Sequence, residues 1–398
     1  MSADVASAPL ASASLLDALS AVPEELCRLL SAPEVCALAL CRQGTADGTR
    51  ALLPVRHLRL GRRGGGDGRD AAVLDAADWE NVESLHATQT SLYAVQPGLL
   101  RACGLRELAV ELLFQEPFGD ILPEDAACSE SLEQLELQCC YEEVLVGLAR
   151  AVQTGSLPRL QWLRLRGSPK GAVAHAKGLR WPPARGAPLT REHGASNAGS
   201  AASELALALE TATAIHSFEA HGVSAFGAMR RHRESPRELC PQGLAIIAIA
   251  SRVPGLRRLA LTDCDLLGHN LLRAIIGGLE VASPDLEILN LSPTPLCAEP
   301  SDDARGVGGD AGALLVRLRR LRYFRLAWCG LGDQGVLALA ASIKLASSEV
   351  GMRIDDSSQH ARNIQLHLDL HHNDISDLMG EQLKAVLTQH LPCTELRL

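Results

Sequence analysis

The chain has 398 residues, and its 47% hydrophobic content is ample for one large continuous core. Aromatic residues make up only 3%, so Leu and Ala must do most of the packing. The net charge of −9 argues against a general nucleic-acid or anionic-membrane surface, and no apolar run reaches the roughly 18 residues of a membrane span.

The first twenty residues are rich in Ala and Ser, carry Asp4 and Asp17 without a basic segment, and are not expected to act as a secretory leader. From Leu15 to Gln43 the pattern turns helical, and residues 1–50 are expected to form an N-terminal helical cap. Arg62–Asp70 follows as a glycine loop that lacks the Lys-Ser/Thr of a phosphate-binding loop.

A period then emerges. Its sharpest unit is Leu321–Ala340, with apolar residues at Leu321, Phe324, Leu326, Cys329 and Leu331, then Gly-Asp-Gln-Gly and a helical stripe from Val336. One unit is therefore a short strand, a turn and a helix. The same spacing starts at Val55, Val82, Leu105, Leu132, Leu160, Ile215, Leu256, Leu286, Leu321, Gln365 and Cys393. Intervals of 27 to 30 residues separate Val55 from Val82, Leu132 from Leu160, Leu256 from Leu286 and Gln365 from Cys393. Pro158, Pro254, Pro284 and Pro392 stand one or two residues before a strand start, where proline ends a helix and favours extended backbone. Helical stripes precede them at Val144–Val152, Leu244–Val253, Leu271–Leu279 and Ala385–Leu391.

Longer intervals mark insertions. Gly167–Ser203 is rich in Gly, Ala, Pro and Ser, carries Lys170, Lys177, Arg180, Arg185 and Arg191, and is expected to be a disordered loop. Arg230–Arg233 is a second basic loop, and Ala298–Gly312 and Ala346–Arg362 read as extended connections. Cys140, Cys264 and Cys329 share the ninth position of their units, which points inward, so they read as buried free thiols of a reducing compartment.

The unit Leu321–Leu339 resembles the ribonuclease-inhibitor type of leucine-rich repeat, on Leu321, Phe324, Leu326, Cys329, Leu331, Gly335 and Leu339. Leu256, Leu259, Leu261, Cys264 and Leu266 repeat the pattern, as do Leu368, Leu370, Asn373 and Ile375. The resemblance covers roughly residues 50–398. It implies an α/β leucine-rich repeat solenoid, curved, with parallel strands on the concave face and helices on the convex face, over residues 51–398. It also implies a protein partner. Upstream, Val22-Pro23-Glu24-Glu25-Leu26, Leu29-Leu30 and Leu38-Ala39-Leu40-Cys41-Arg42 resemble a degenerate F-box, with a short spacer and no Trp after Arg42. That resemblance implies, as an alternative to a plain cap, a helical hook for a ubiquitin-ligase adaptor, the repeats then choosing the substrate. Regulation of a small GTPase is a further alternative, because repeats of this type occur there.

His367, Asp369 and His371 alternate along one strand and so share a face, where imidazole and carboxylate together suit a divalent metal or simply a polar surface. The polar surface is the expectation, and no metal or cofactor is expected. No nucleophile motif or His-Glu-x-x-His pair occurs, so the chain is expected to be non-catalytic. It is expected in the cytoplasm, with the nucleus as alternative. The strand Cys393–Leu398 is expected to leave an open edge with weak self-association, or a partner covering it.

Side chains alternate along each strand, so positions three, five and seven of a unit face away from the core. That places Glu107 and Glu111, then Gln134, Glu136 and Gln138, then Trp162, Arg164 and Arg166 in three neighbouring rows. Two acidic rows beside a row with a tryptophan and two arginines form the expected protein-binding site, with the acidic rows steering a basic partner.

Overall fold

The structure, a computed structural model, describes residues 56–59, 79–88, 99–111, 118–122, 126–138, 142–167, 194–222, 248–250, 252–262, 269–293, 296–297, 302–351, 365–391 and 394–398. The expected cap over 1–50 with its F-box-like stretch, the glycine loop Arg62–Asp70, the basic loop Arg230–Arg233 and residues 168–193 of the large insertion lie outside these ranges.

Among the described residues eleven parallel strands form one sheet in sequence order. They are β1 (His57–Arg59), β2 (Ser84–Thr88), β3 (Glu107–Glu111), β4 (Gln134–Gln138), β5 (Trp162–Arg166), β6 (Ser217–His221), β7 (Arg258–Thr262), β8 (Ile288–Asn290), β9 (Tyr323–Arg325), β10 (Leu366–Asp369) and β11 (Thr394–Arg397). The helices are α1 (Phe118–Ile121), α2 (Glu142–Gln153), α3 (Gly194–Thr211), α4 (His269–Ala282), α5 (Asp302–Arg317), α6 (Gly332–Gly351) and α7 (Asp377–His390). Each strand pairs with the next unit's strand, so the units stack in sequence order. None of the helices among the described residues is long and apolar enough to cross a membrane.

The register runs unbroken across the sheet. His57, Ser84, Glu107, Gln134, Trp162, Ser217, Arg258, Ile288, Tyr323, His367 and Glu395 pair in turn. These are the third positions of the eleven units expected from the sequence. The fourth-position residues behind them, from Leu58 and Leu85 through Phe218 and Phe324 to Leu368, form a buried column. A second column runs through Leu137, Leu165, Leu261, Leu291, Leu326 and Leu370. Such columns hold a solenoid together because a single layer cannot bury its own apolar side. Strands stack about 4.8 Å apart whereas helices need about 8–10 Å. The sheet side is therefore the inside of the curve.

The turns after β9 and β10 are locked by side chains. Asn373 is buried and makes four hydrogen bonds. Its Nδ2 donates to the carbonyls of Leu326 and Leu370 (both 2.7 Å), and its Oδ1 accepts from the amides of Cys329 (3.0 Å) and Leu331 (3.1 Å). Cys329 is buried as the ninth-position reading expects, its thiol donating to the carbonyls of Ala327 (3.5 Å) and Leu291 (3.8 Å). The buried Cys128 thiol is pushed up to about 12 by desolvation, partly offset by a backbone hydrogen bond, so it stays protonated and inert.

Three connections differ from the sequence reading. Ala298–Gly312 was expected to be extended, yet α5 begins at Asp302. The glycines there are not helix breakers but contact points. A Cβ added at Gly308 would meet the Gly335 carbonyl oxygen of α6 at close quarters, and one at Gly312 would sit 2.5 Å from the Leu339 carbonyl oxygen. Backbone lies against backbone, and helix propensity yields to close packing. Ala346–Arg362 was likewise expected to be extended, but α6 continues to Gly351 with Ala346 buried. The insertion Gly167–Ser203, expected to be disordered to its end, turns into α3 at Gly194. Ala201, Ala202 and Leu205 bury one side of that helix, which is why the chain is helical there despite its Ala/Ser/Gly composition.

Candidate functional site

The open face of the sheet is built from the third, fifth and seventh residues of each unit. Over β4 and β5 burial alternates strictly, with Leu135, Leu137, Leu163 and Leu165 inside and the residues between them half-buried on the outer face. All eight residues named from the sequence stand on that outer face. Glu107 and Glu111 end β3, Gln134, Glu136 and Gln138 line β4, and Trp162, Arg164 and Arg166 line β5.

The structure joins five of them directly: Glu136, Gln138, Trp162, Arg164 and Arg166. Arg164 sits in the middle row between two carboxylates. Its Nη1 donates to Glu136 Oε2 at 3.1 Å, and its Nε donates to Glu219 Oε2 at 2.8 Å. Its guanidinium also lies 4.5 Å from the centre of the Trp162 ring, a cation–π contact that immobilises both groups. Trp162 Nε1 donates to Glu219 Oε1 at 3.2 Å. Arg166 pairs with Glu136 at 3.1 Å, and Arg258 of β7 pairs with Glu219 at 2.6 Å. Gln138 Nε2 donates to Glu136 Oε1 at 3.0 Å. The result is a continuous bar, Arg166–Glu136–Arg164–Glu219–Arg258, across four strands.

The electrostatics follow from this geometry. Burial would lower the pKa of Arg164, but the hydrogen bonds and charges of Glu219 and then Glu136 outweigh it and hold the guanidinium above its ordinary value. Arg164 is thus a fixed cation between fixed anions, with Nε and Nη1 taken by the two carboxylates. Glu107 belongs to a separate group. It accepts from Ser84 Oγ at 3.1 Å and faces His86 at 3.4 Å, on the β2 side.

Glu219 and Arg258 were missed in the sequence. The signal was there, because Glu219 is the fifth position of the unit that starts at Ile215 and Arg258 the third position of the unit that starts at Leu256. The insertion between Leu160 and Ile215 separates them by more than fifty residues from Arg164 in the chain (Glu219 lies 55 residues on), and only the register brings them together.

His367 and Asp369 lie on β10 whereas His371 follows in the turn after it, and the three do not converge on one point. His367 pairs with Glu395 at 2.8 Å and stacks on Tyr323. Asp369 is buried against His371 (2.5 Å) and Arg325 (2.9 Å). Burial pushes the Asp369 carboxyl up, yet hydrogen bonds from the His371 side chain and backbone, with the charges of His371 and Arg325, outweigh it and leave its pKa below the usual value. Among the described residues no group of three or more His, Cys, Asp or Glu side chains is placed to hold a metal ion. At the far end of these strands Trp328 and His372 both adopt left-handed backbone (φ 59° each), with their rings 4.1 Å apart.

No protein-family model matches the chain, and no curated protein does. Solved structures of similar shape include a chain in the crystal structure of the Rad7 and Elc1 complex in yeast, at 14% identity, covering 96% of this chain and 83% of that one, with a TM-score of 0.41. They also include an internalin (inlF) from Listeria monocytogenes at 12% identity, covering 82% of this chain and 81% of that one, with a TM-score of 0.30. The fold itself, eleven in-register parallel strands backed by helices, is that of an α/β leucine-rich repeat solenoid.

Proposed function

We propose that this protein is a non-catalytic protein-binding scaffold whose contact surface is the open strand face, centred on β4 to β7. One observation carries the reading. Trp162 and Arg164, residue types that recur as interface hot spots, are held rigid on an open sheet by the Glu136 and Glu219 carboxylates. Groups already fixed in place lose little entropy on binding, so they suit recognition. Their charges are paired with one another rather than poised for proton transfer, which suits binding rather than chemistry.

The test is capture of partners from cell extract with three forms of the protein. Trp162→Ala should lose the partners of the wild type. Val281→Asp, on the exposed side of α4, should keep them. Partners lost through α4 and kept by Trp162→Ala would move the site to the helices.

At a finer level the reading assigns the repeats to the ribonuclease-inhibitor type, on the Leu321–Leu339 unit and its long following helix. It places the protein in a reducing compartment, the cytoplasm or the nucleus. The F-box-like residues 22–42 support a second reading, in which the scaffold presents its partner to a ubiquitin ligase. Co-purification with an adaptor, abolished by Leu26→Asp with Leu30→Asp, is its test. A nucleotide-hydrolysis assay with small GTPases tests the third, regulatory reading.

A further inference from the structure

We infer that the partner of the strand face presents carboxylates, at least two of them, to Arg166 and Arg258. The inference rests on the protein-binding reading above and reverses the sign of partner that the acidic rows alone led us to expect.

Hydrogen-bond accounting over β4 to β7 decides it. The sheet register aligns three rows across these strands. One outer row is Gln134, Trp162, Ser217 and Arg258. The other is Gln138, Arg166, His221 and Thr262. Neither contains a carboxylate. The only two, Glu136 and Glu219, lie in the middle row and each already faces three donors. Their side chains are 20% and 10% exposed. Little acceptor capacity remains for a basic partner.

The arginines stand the other way. A guanidinium has five N–H donors, and Arg166 and Arg258 each meet a single carboxylate. Their side chains are 42% and 41% exposed. With Arg164, three arginines face two carboxylates, so the window is cationic within a chain of net charge −9. Glu107 and Glu111 on β3 border it on one side and repel an acidic segment that strays there, which fixes where the segment lies.

The spacing adds specificity. Arg166 and Arg258 are two strands apart and four residues apart along the strand direction, a diagonal of roughly 16 Å from strand geometry. An extended segment advances about 3.3 Å per residue and turns alternate side chains to opposite sides, so its two acidic side chains would stand an even number of positions apart, about four or six. Trp162, on the strand of Arg166 and in the row of Arg258, offers an apolar ring beside this diagonal.

The experiment pans a random peptide library displayed on phage against the immobilised full chain. The enriched sequences are then made as synthetic peptides, each with a twin in which Asp and Glu become Asn and Gln, and binding is read by fluorescence anisotropy. Arg166→Gln with Arg258→Gln is a usable variant because each carboxylate keeps two other donors; circular dichroism checks its fold. The expected result is enrichment of acidic peptides whose affinity falls about tenfold or more with the double variant and likewise for the amide twins, since a charged hydrogen bond contributes about 1.5–3 kcal/mol. Arg273→Gln on α4 should leave affinity unchanged. Peptides that lose binding with Trp162→Ala but are basic, or are indifferent to the arginine variant, would overturn the acidic partner and leave the strand-face reading standing. Failure of any peptide to enrich, or enrichment indifferent to every strand-face substitution, would overturn both.

Discussion

Two adjacent glycines in α5 should respond in opposite directions to the same substitution. At Gly308 a new Cβ would fall against the carbonyl of Gly335, 2.7 Å from its carbon and 3.0 Å from its Cα, closer still to its oxygen. These are backbone atoms of α6, which cannot swing aside as a side chain does. The helices must separate by roughly an ångström, and overpacking of this kind costs about 1–3 kcal/mol. The gain in helix propensity from Gly to Ala, at most about 1 kcal/mol, offsets only part of it. Gly309, by contrast, has nothing within 4 Å of its would-be Cβ. There only the propensity gain remains, and Gly309→Ala should stabilise by about 0.5–1 kcal/mol. Urea unfolding followed by circular dichroism compares the midpoints, and amide exchange in α5 and α6 localises the effect. Solenoids can unfold in parts, so the local readout matters. A Gly308→Ala protein as stable as the wild type, or two variants shifting the same way, would refute the close helix contact.

Other substitutions test other parts of the fold. Asn373→Ala strips partners from two buried amides and two carbonyls and should destabilise by at least about 3 kcal/mol in urea unfolding. Replacing residues 168–193 by a short Gly/Ser link should barely move the melting temperature, because loop length is thermodynamically cheap. Extending the deletion through Thr211 should lower it sharply, since it removes the buried Ala202, Leu205 and Leu209. Asp369 has a lower pKa folded than unfolded, so its ionised form stabilises the fold above the unfolded value of about 3.9, and that stability fades as pH falls from there through the folded value. Asp369→Asn should therefore be less stable than the wild type at neutral pH, with the gap in urea midpoints closing below about pH 4.

The strand register could be read from the sequence because it obeys one arithmetic rule. An apolar residue every second position, restarted by a proline or a helical stripe, was enough to set all eleven starting points, even across the insertion before Ile215. What stayed hidden obeys no local rule. Gly308 and Gly312 read as loop residues because composition cannot tell a glycine that breaks a helix from one that admits a neighbouring helix. The beginning of α3 was hidden for a similar reason, since Ala and Ser suit a linker and a tightly packed helix equally. At the site, the eight residues were placed on the correct face by alternation alone. The pairing that saturates Glu136 and joins it through Arg164 to Glu219 depends on side-chain reach between strands, which no single-strand pattern contains. That pairing changes the chemistry, because carboxylates that look free in the sequence are already satisfied in the fold.

The most direct measurement of the central claim is hydrogen–deuterium exchange of the protein alone and in complex with a captured partner. The account predicts protection concentrated in β4 to β7 and the turns at their ends, with α2, α4 and α5 exchanging as in the free protein. Protection confined to those helices, with the strands unchanged, would contradict it.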